Sequence, residues 1–377
     1  YTPSATSGCK TICVNPINGD IYGFNNSSLI YAVKADGTQH WTKSGFNPQG
    51  SSFAVSSDGS VVFAVGGNNR QILALNSSNG ETLYEMNQTK DGNNFYTQQP
   101  QIVVFDQDDN YDYIANQGSE MISVIRHNKS THKMEVLNWV KAQPAKDSGT
   151  GTQNHKVTDI TSAAVSADKN HVYFLGGNRD NTVCYCKVFC IDVTNARIAE
   201  SVQSGSTRLP IKYTTVQETL NKSVSGLVFD KDNNAYVTTA KYVKKFTEES
   251  LIKGGTPEAI YSATVSGADD NSFNFLCPSV AASGNVYLSS VKGSPAGLYK
   301  VPAAGATTAT KVCDSPLGTT TNFQGVFAMT DGYVVIGSQA PAGLYVKKVD
   351  ETISPNTWGY FGGDPCGSKN ACLVYGN

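Results

Sequence analysis

Short apolar runs broken by polar turns recur along this chain with one phrasing. Ile17-Asn18-Gly19-Asp20-Ile21-Tyr22-Gly23-Phe24 leads to Leu29-Ile30-Tyr31-Ala32-Val33-Lys34-Ala35-Asp36-Gly37 and closes at Trp41. A second copy runs from Phe53 through the turn Asp58-Gly59 to Ala64, then Gln71-Ile72-Leu73-Ala74-Leu75. Further copies centre on Gln101–Ala115, Ser162–Asp192, Gly226–Phe246, Ser279–Val301 and Val326–Val346. Asn-Gly and Asp-Gly supply the positive φ angles of tight hairpins. The flanking Val, Ile, Tyr and Phe suit pleated, packed strands.

The runs are apolar throughout rather than alternating, which fits sheets covered on both faces. A small hairpin sheet cannot cover its own faces, so neighbouring copies must stack. Seven units of roughly 40–60 residues fill the chain. The pattern therefore predicts an all-β fold: a single seven-bladed β-propeller of four-stranded antiparallel blades. The expected organisation is an N-terminal extended segment (1–13), the propeller (14–361) and a Cys-containing tail (362–377). The polar stretches Gln143–Val157 and Arg208–Lys222 read as loops, or a short helix at most.

Composition narrows the partners. Charged residues are 16% of the 377, against roughly 25% in an average soluble domain. Net charge is −2, so there is no electrostatic footprint for nucleic acid. No apolar run approaches a membrane span. The chain starts at Tyr1 rather than Met, and is expected to be a mature product whose leader was removed. Nine cysteines (Cys9, Cys13, Cys184, Cys186, Cys190, Cys277, Cys313, Cys366 and Cys372) accompany Asn-x-Ser/Thr sequons at Asn25, Asn26, Asn76, Asn87, Asn128 and Asn221. Together they predict a secreted, extracellular glycoprotein with disulfides.

The phrase Leu29–Trp41 resembles the quinoprotein-like propeller repeat: a strand ending Leu-Tyr-Ala-Leu, a turn through Gly, then Trp. Gln71–Glu81 is similar. The resemblance implies a propeller whose relatives include redox enzymes and non-catalytic scaffolds. The redox members have eight blades and adjacent cysteines above a quinone. This chain has about seven blades and no Cys-Cys pair, so the resemblance carries the scaffold without the cofactor.

Candidate chemistry is sparse. Asp106, Asp108, Asn110 and Asp112 place oxygens at alternate positions, a pattern that wraps a hard cation such as Ca²⁺. Tyr111 stands where a calcium loop wants glycine, and the similar turn Asp230–Asn234 offers the plainer reading of a solvated hairpin. No other cofactor is expected. Cys9 and Cys13 are expected near Cys366 and Cys372 at the ring's seam, with a local Cys366–Cys372 loop as the alternative. Cys277 and Cys313 flank one blade and are expected to bridge it. Cys184, Cys186 and Cys190 share one strand face, with one of them pairing locally. The five histidines fall in predicted turns and read as surface residues. Gly66-Gly67-Asn68 and Gly176-Gly177-Asn178 read as bulges or loops after second strands. Trp41, Trp139 and Trp358 read as packing between blades. Phe95-Tyr96 and Trp358–Phe361 are the only aromatic groups placed for a sugar platform.

These readings predict a non-enzymatic extracellular structural or adhesive module that self-assembles into a polymer or filament. Its partners would be copies of itself, or extracellular glycans or proteins. The first alternative is a carbohydrate- or peptide-binding propeller using the ring's mouth. The second is a quinone-dependent oxidoreductase or a hydrolase.

Overall fold

A computed structural model describes residues 12–15, 17–24, 29–45, 52–66, 71–87, 89–90, 93–94, 101–117, 121–141, 159–166, 168–179, 184–195, 209–219, 226–239, 242–268, 278–290, 297–314, 327–330, 332–339 and 342–352. They form a seven-bladed β-propeller. Blade one comprises Ile12–Val14, Ile21–Phe24, Ile30–Val33 and Gln39–Lys43. Blade two comprises Ser52–Val55, Val61–Gly66, Gln71–Asn76 and Thr82–Asn87. Blade three comprises Gln101–Gln107, Tyr111–Gln117, Met121–Asn128 and Met134–Lys141. Blade four comprises Asp159–Val165, His171–Arg179, Cys184–Asp192 and Ile211–Thr219. Blade five comprises Gly226–Phe229, Ala235–Thr238, Val243–Phe246 and Tyr261–Ala263, with the helix Glu248–Lys253 between its last two strands. Blade six comprises Ser279–Val280, Val286–Ser290, Gly297–Val301 and Thr310–Asp314. Blade seven shows three strands among the described residues: Phe327–Thr330, Tyr333–Gln339 and Ala342–Lys348.

Every blade is an antiparallel meander in sequence order. First strands of successive blades lie side by side from blade one to blade seven, so they form the inner wall. The tight turns between first and second strands share one end of the ring. Gly59 takes their left-handed position in blade two at φ +74, while Lys169 and Asn233 take it in blades four and five.

The core lies between blades, as the unbroken apolar runs require. Four clusters of buried side chains span blades one–two, two–three, three–four–five and five–six. Phe24 of blade one stacks on Phe53 of blade two at 4.1 Å between ring centroids. Trp41 lies against the turn of blade two, and its indole N–H donates to the Ser77 carbonyl at 2.8 Å. A Cβ on Gly80 would come within 2.6 Å of that indole, so only glycine fits there. Trp139 is buried with the blade two core. Both tryptophans therefore pack between blades as expected, and Trp358 lies outside the described residues.

Three sequence expectations change. Ile211–Thr219, read as loop, is the outer strand of blade four, because pairing with Cys184–Asp192 overrides its polar character. Gly176 and Gly177 sit inside a strand, paired with Lys187 and Cys186, and the bulge falls on the facing strand between Ile160 and Ser162. His127 is no surface residue: it is 1% exposed, on the third strand of blade three. No helix among the described residues is long and apolar enough to cross a membrane.

Candidate functional site

Polar contacts cross each of the six seams from blade one to blade seven, and the one between blades two and three gathers serine, aspartate and histidine in one place. Asp112, the second residue of its strand, pairs in register with His127 on the next strand. Their side chains meet: His127 Nδ1 lies 3.0 Å from Asp112 Oδ2, with both groups buried. From blade two, the Ser57 hydroxyl donates to Asp112 Oδ1 at 2.6 Å and the Ser57 N–H donates to the same oxygen at 3.2 Å. Lys129 Nζ stands 3.9 Å from that oxygen. The ring of His127 meets Phe63 edge-on at 4.9 Å and stacks on His132 at 5.7 Å.

These are the residue types of a hydrolytic triad, but the order differs. A triad needs histidine between serine and aspartate, so that imidazole takes the hydroxyl proton. Here aspartate is central, and Ser57 gives its proton to Asp112 rather than to His127. The arrangement holds two blades together and leaves the hydroxyl without a base. His127 Nε2 is buried without a hydrogen-bond partner, as is His132 Nδ1.

Five further seams among the described residues use different residues for the same purpose. Asn15 donates through Nδ2 to the Gly59 carbonyl at 2.8 Å, joining blades one and two. Lys169 of blade four lies 3.4 Å from Asp106 of blade three. The Tyr173 hydroxyl of blade four donates to Glu248 of blade five at 2.7 Å. Thr264 exchanges backbone bonds with the segment Thr307–Ala309 of blade six. Glu351, beyond blade seven's last described strand, accepts from Ser283, Asn285, Tyr287 and Lys300 of blade six. Burial pushes Glu248 above the usual carboxylate range. Lys187, only 2% exposed, holds its ammonium 4.7 Å from the centre of the Tyr213 ring.

The calcium expectation meets a different geometry. Asp106 faces Lys169. Asp108 accepts from the N–H groups of Asn110 and Tyr111 at 2.8 Å each and from the Tyr113 hydroxyl at 2.8 Å. Asp112 turns into the seam with Ser57 and His127. The three carboxylates serve separate partners because the strand begins at Tyr111 and sends Asp112 to the buried side. Among the described residues, no group of three or more His, Cys, Asp or Glu side chains is arranged to hold a metal ion. The loop is a hairpin turn, as at Asp230, which accepts from Asn234, Tyr236 and the backbone of Asp232.

Among the cysteines, Cys190 and Cys313 carry unbridged thiols. Cys313 lies on the outermost strand of blade six and is unbridged. The expected Cys277–Cys313 bridge is therefore not formed. Burial pushes the Cys190 thiol up to about 12, so it stays protonated and unreactive. Cys13 is buried in the first seam. Cys9, Cys277, Cys366 and Cys372 lie outside the described residues, as do the side chains of Cys184 and Cys186.

The sequons Asn76 and Asn128 occupy the same place in blades two and three, at the end of the third strand. Each accepts the N–H two residues on through its own Oδ1, at 2.9 and 3.0 Å. Asn25, Asn26, Asn221 and the Asn87 side chain lie outside what is described, as do Phe95-Tyr96, Trp358–Phe361, His155 and both terminal segments.

The titratable groups predict how stability follows pH. Asp230 is buried and Asp58, Asp108 and Asp168 sit in surface turns, and the partial desolvation of each carboxylate opposes ionisation. Hydrogen bonds outweigh that burial and hold all four below the usual carboxylate value of 3.8. Groups depressed on folding add stability above the unfolded pKa and lose it as pH falls through the folded one. His132 is depressed below 6.5 by burial and by the neighbouring His127. Melting temperature should therefore fall first below about pH 6.5 and again more steeply below about pH 4. His132→Asn keeps a residue that tolerates the local φ of +58 and should flatten the first step in a calorimetric pH series. An unchanged first step would mean that His132 does not cause it.

No family model matches the chain, and neither does any curated protein sequence. Solved structures do resemble it. Virginiamycin B lyase from Staphylococcus aureus superposes with a TM-score of 0.56 at 11% identity, covering 92% of this chain and 97% of that one. The Cps50 (Swd1) β-propeller domain of Myceliophteria thermophila gives 0.56 at 10% identity, covering 92% and 98%. Sqt1 of Saccharomyces cerevisiae gives 0.53 at 11%, covering 93% and 98%. These likenesses establish the propeller architecture. One of the three is a lyase by name, so architecture alone does not select a function.

Proposed function

We propose that this chain is a secreted, N-glycosylated, non-enzymatic β-propeller that serves as an extracellular scaffold and binds other proteins, copies of itself among them. One observation carries the reading: Ser57, Asp112 and His127 are spent on joining blades, with the hydroxyl turned toward the carboxylate and away from the imidazole. The unreactive Cys190 thiol and the separated oxygens of Asp106, Asp108 and Asp112 support it further. Propeller neighbours such as the Swd1 domain fit an interaction module. Within the propellers, the phrase Leu29–Trp41 favours a quinoprotein-like repeat in a scaffold role.

The test combines mass and size on material from the native source. Glycosidase treatment should lower the mass by the equivalent of several N-glycans, and sedimentation should show species heavier than one chain. A mass that equals the bare polypeptide removes the glycoprotein reading. A single-chain species at every concentration removes the scaffold-assembly reading.

A further inference from the structure

The connection between the third and fourth strands of blade five is long and carries a helix. In blades one to three this connection is a short turn, at 34–38, 77–81 and 129–133. In blade five it runs from 247 to 260 and forms the helix Glu248–Lys253. Insertions into one repeat map to a face and often to a binding surface.

The helix is fixed in place. Thr247 caps it by accepting from the Ser250 N–H, and Leu251 is fully buried. Gly255 bonds to Tyr213 and Thr215 on the outer strand of blade four. Its free side presents Glu249, Ile252 and Lys253, all exposed. Ile260, 55% exposed, follows on the return segment. A groove of about 390 Å³ opens beside Glu249, Ser250, Lys253 and Pro257.

Two independent patterns converge here. Of the four large hydrophobics exposed among the described residues, Ile252, Ile260 and Tyr333 belong to blades five and seven, leaving only Ile17 elsewhere. All six sequons lie between Asn25 and Asn221, and residues 222–377 hold none. The arc that glycans would leave bare is the arc that exposes apolar side chains.

Charge selects the occupant. Glu249 lies in the first turn and Lys253 in the last, four residues apart and so on one face. An identical helix approaching antiparallel sets each Glu249 opposite the other copy's Lys253, with the two Ile252 side chains between. That is the self-complementarity a two-fold contact requires. We propose that the blade-five helix is a two-fold docking surface for a second copy of this chain. The inference rests on the self-assembly reading above and names its contact. A two-fold contact closes on itself, so it yields a dimer, and any longer assembly needs another surface.

The experiment is sedimentation velocity on the full glycosylated chain over a concentration series. Glu249→Lys and Lys253→Glu each bring like charges together, and each should weaken the dimer by about tenfold or more. The double swap restores opposite pairing and should return affinity to within about threefold of the parent. Ile252→Glu, at an exposed position, should abolish the dimer without moving the melting temperature. Single swaps without effect, or a double swap no better than either single, would overturn the contact. So would a parent chain that stays monomeric, or one that associates only with a different protein. A glycosidase mass shift measured in parallel separates the two ideas. Bare polypeptide defeats the glycoprotein reading alone, and a glycosylated monomer defeats the contact.

Discussion

Asp112→Ala should destabilise the protein by about 3–5 kcal/mol, the range for removing one partner of a buried charged network. Asp112 is fully buried and is the only acceptor shown for the Ser57 hydroxyl, the Ser57 N–H and His127 Nδ1. Alanine leaves all three groups buried without that acceptor and removes the carboxylate that stands 3.9 Å from Lys129. Ser57→Ala is the matched control. It removes one hydroxyl while the aspartate keeps its histidine, so its loss should be about 1 kcal/mol. The measurement is the midpoint of equilibrium urea unfolding for both variants. An Asp112→Ala midpoint equal to that of the parent would mean that the seam does not depend on this strut.

Trp41→Ala should cost a comparable amount, about 3–5 kcal/mol, the range for deleting a buried large aromatic. The indole is 7% exposed and fills the space over Gly80. Its N–H satisfies the Ser77 carbonyl, which the Tyr22 hydroxyl also approaches at 3.3 Å. Loss of the ring opens a cavity between blades one and two and removes a buried hydrogen bond. Trp41→Phe should recover part of the packing and none of that bond, placing it between parent and alanine in thermal unfolding. Equal melting of Trp41→Ala and the parent would contradict an inter-blade core at this seam.

Local chemistry made the blades readable from sequence, whereas the struts depend on contacts far apart in the chain. Asp58-Gly59 and Asn18-Gly19 mark hairpins by turn geometry alone, and the runs around them show which strands are buried on both faces. Ile211–Thr219 reads as a loop because of its Lys, Thr and Gln content. It is a strand because the blade needs an outer partner. His127 reads as a surface residue because its sequence neighbours Asn128, Lys129 and Ser130 form a turn, whereas it is itself the last buried residue of the strand. Aligning the hairpin on residues 118–120 would have paired it with Asp112. The approach of Ser57, separated by 55 residues from Asp112, follows only from blade stacking. The same stacking draws Asp112 away from the turn that suggested calcium.

The most direct test of the whole account is electron cryomicroscopy of the glycosylated protein from its source. The expected image is of propellers joined copy to copy through the helix of blade five, with sugar density on blades one to four directed away from that contact. Solitary propellers holding a bound cofactor or substrate in the central channel, with blade five open to solvent, would contradict it.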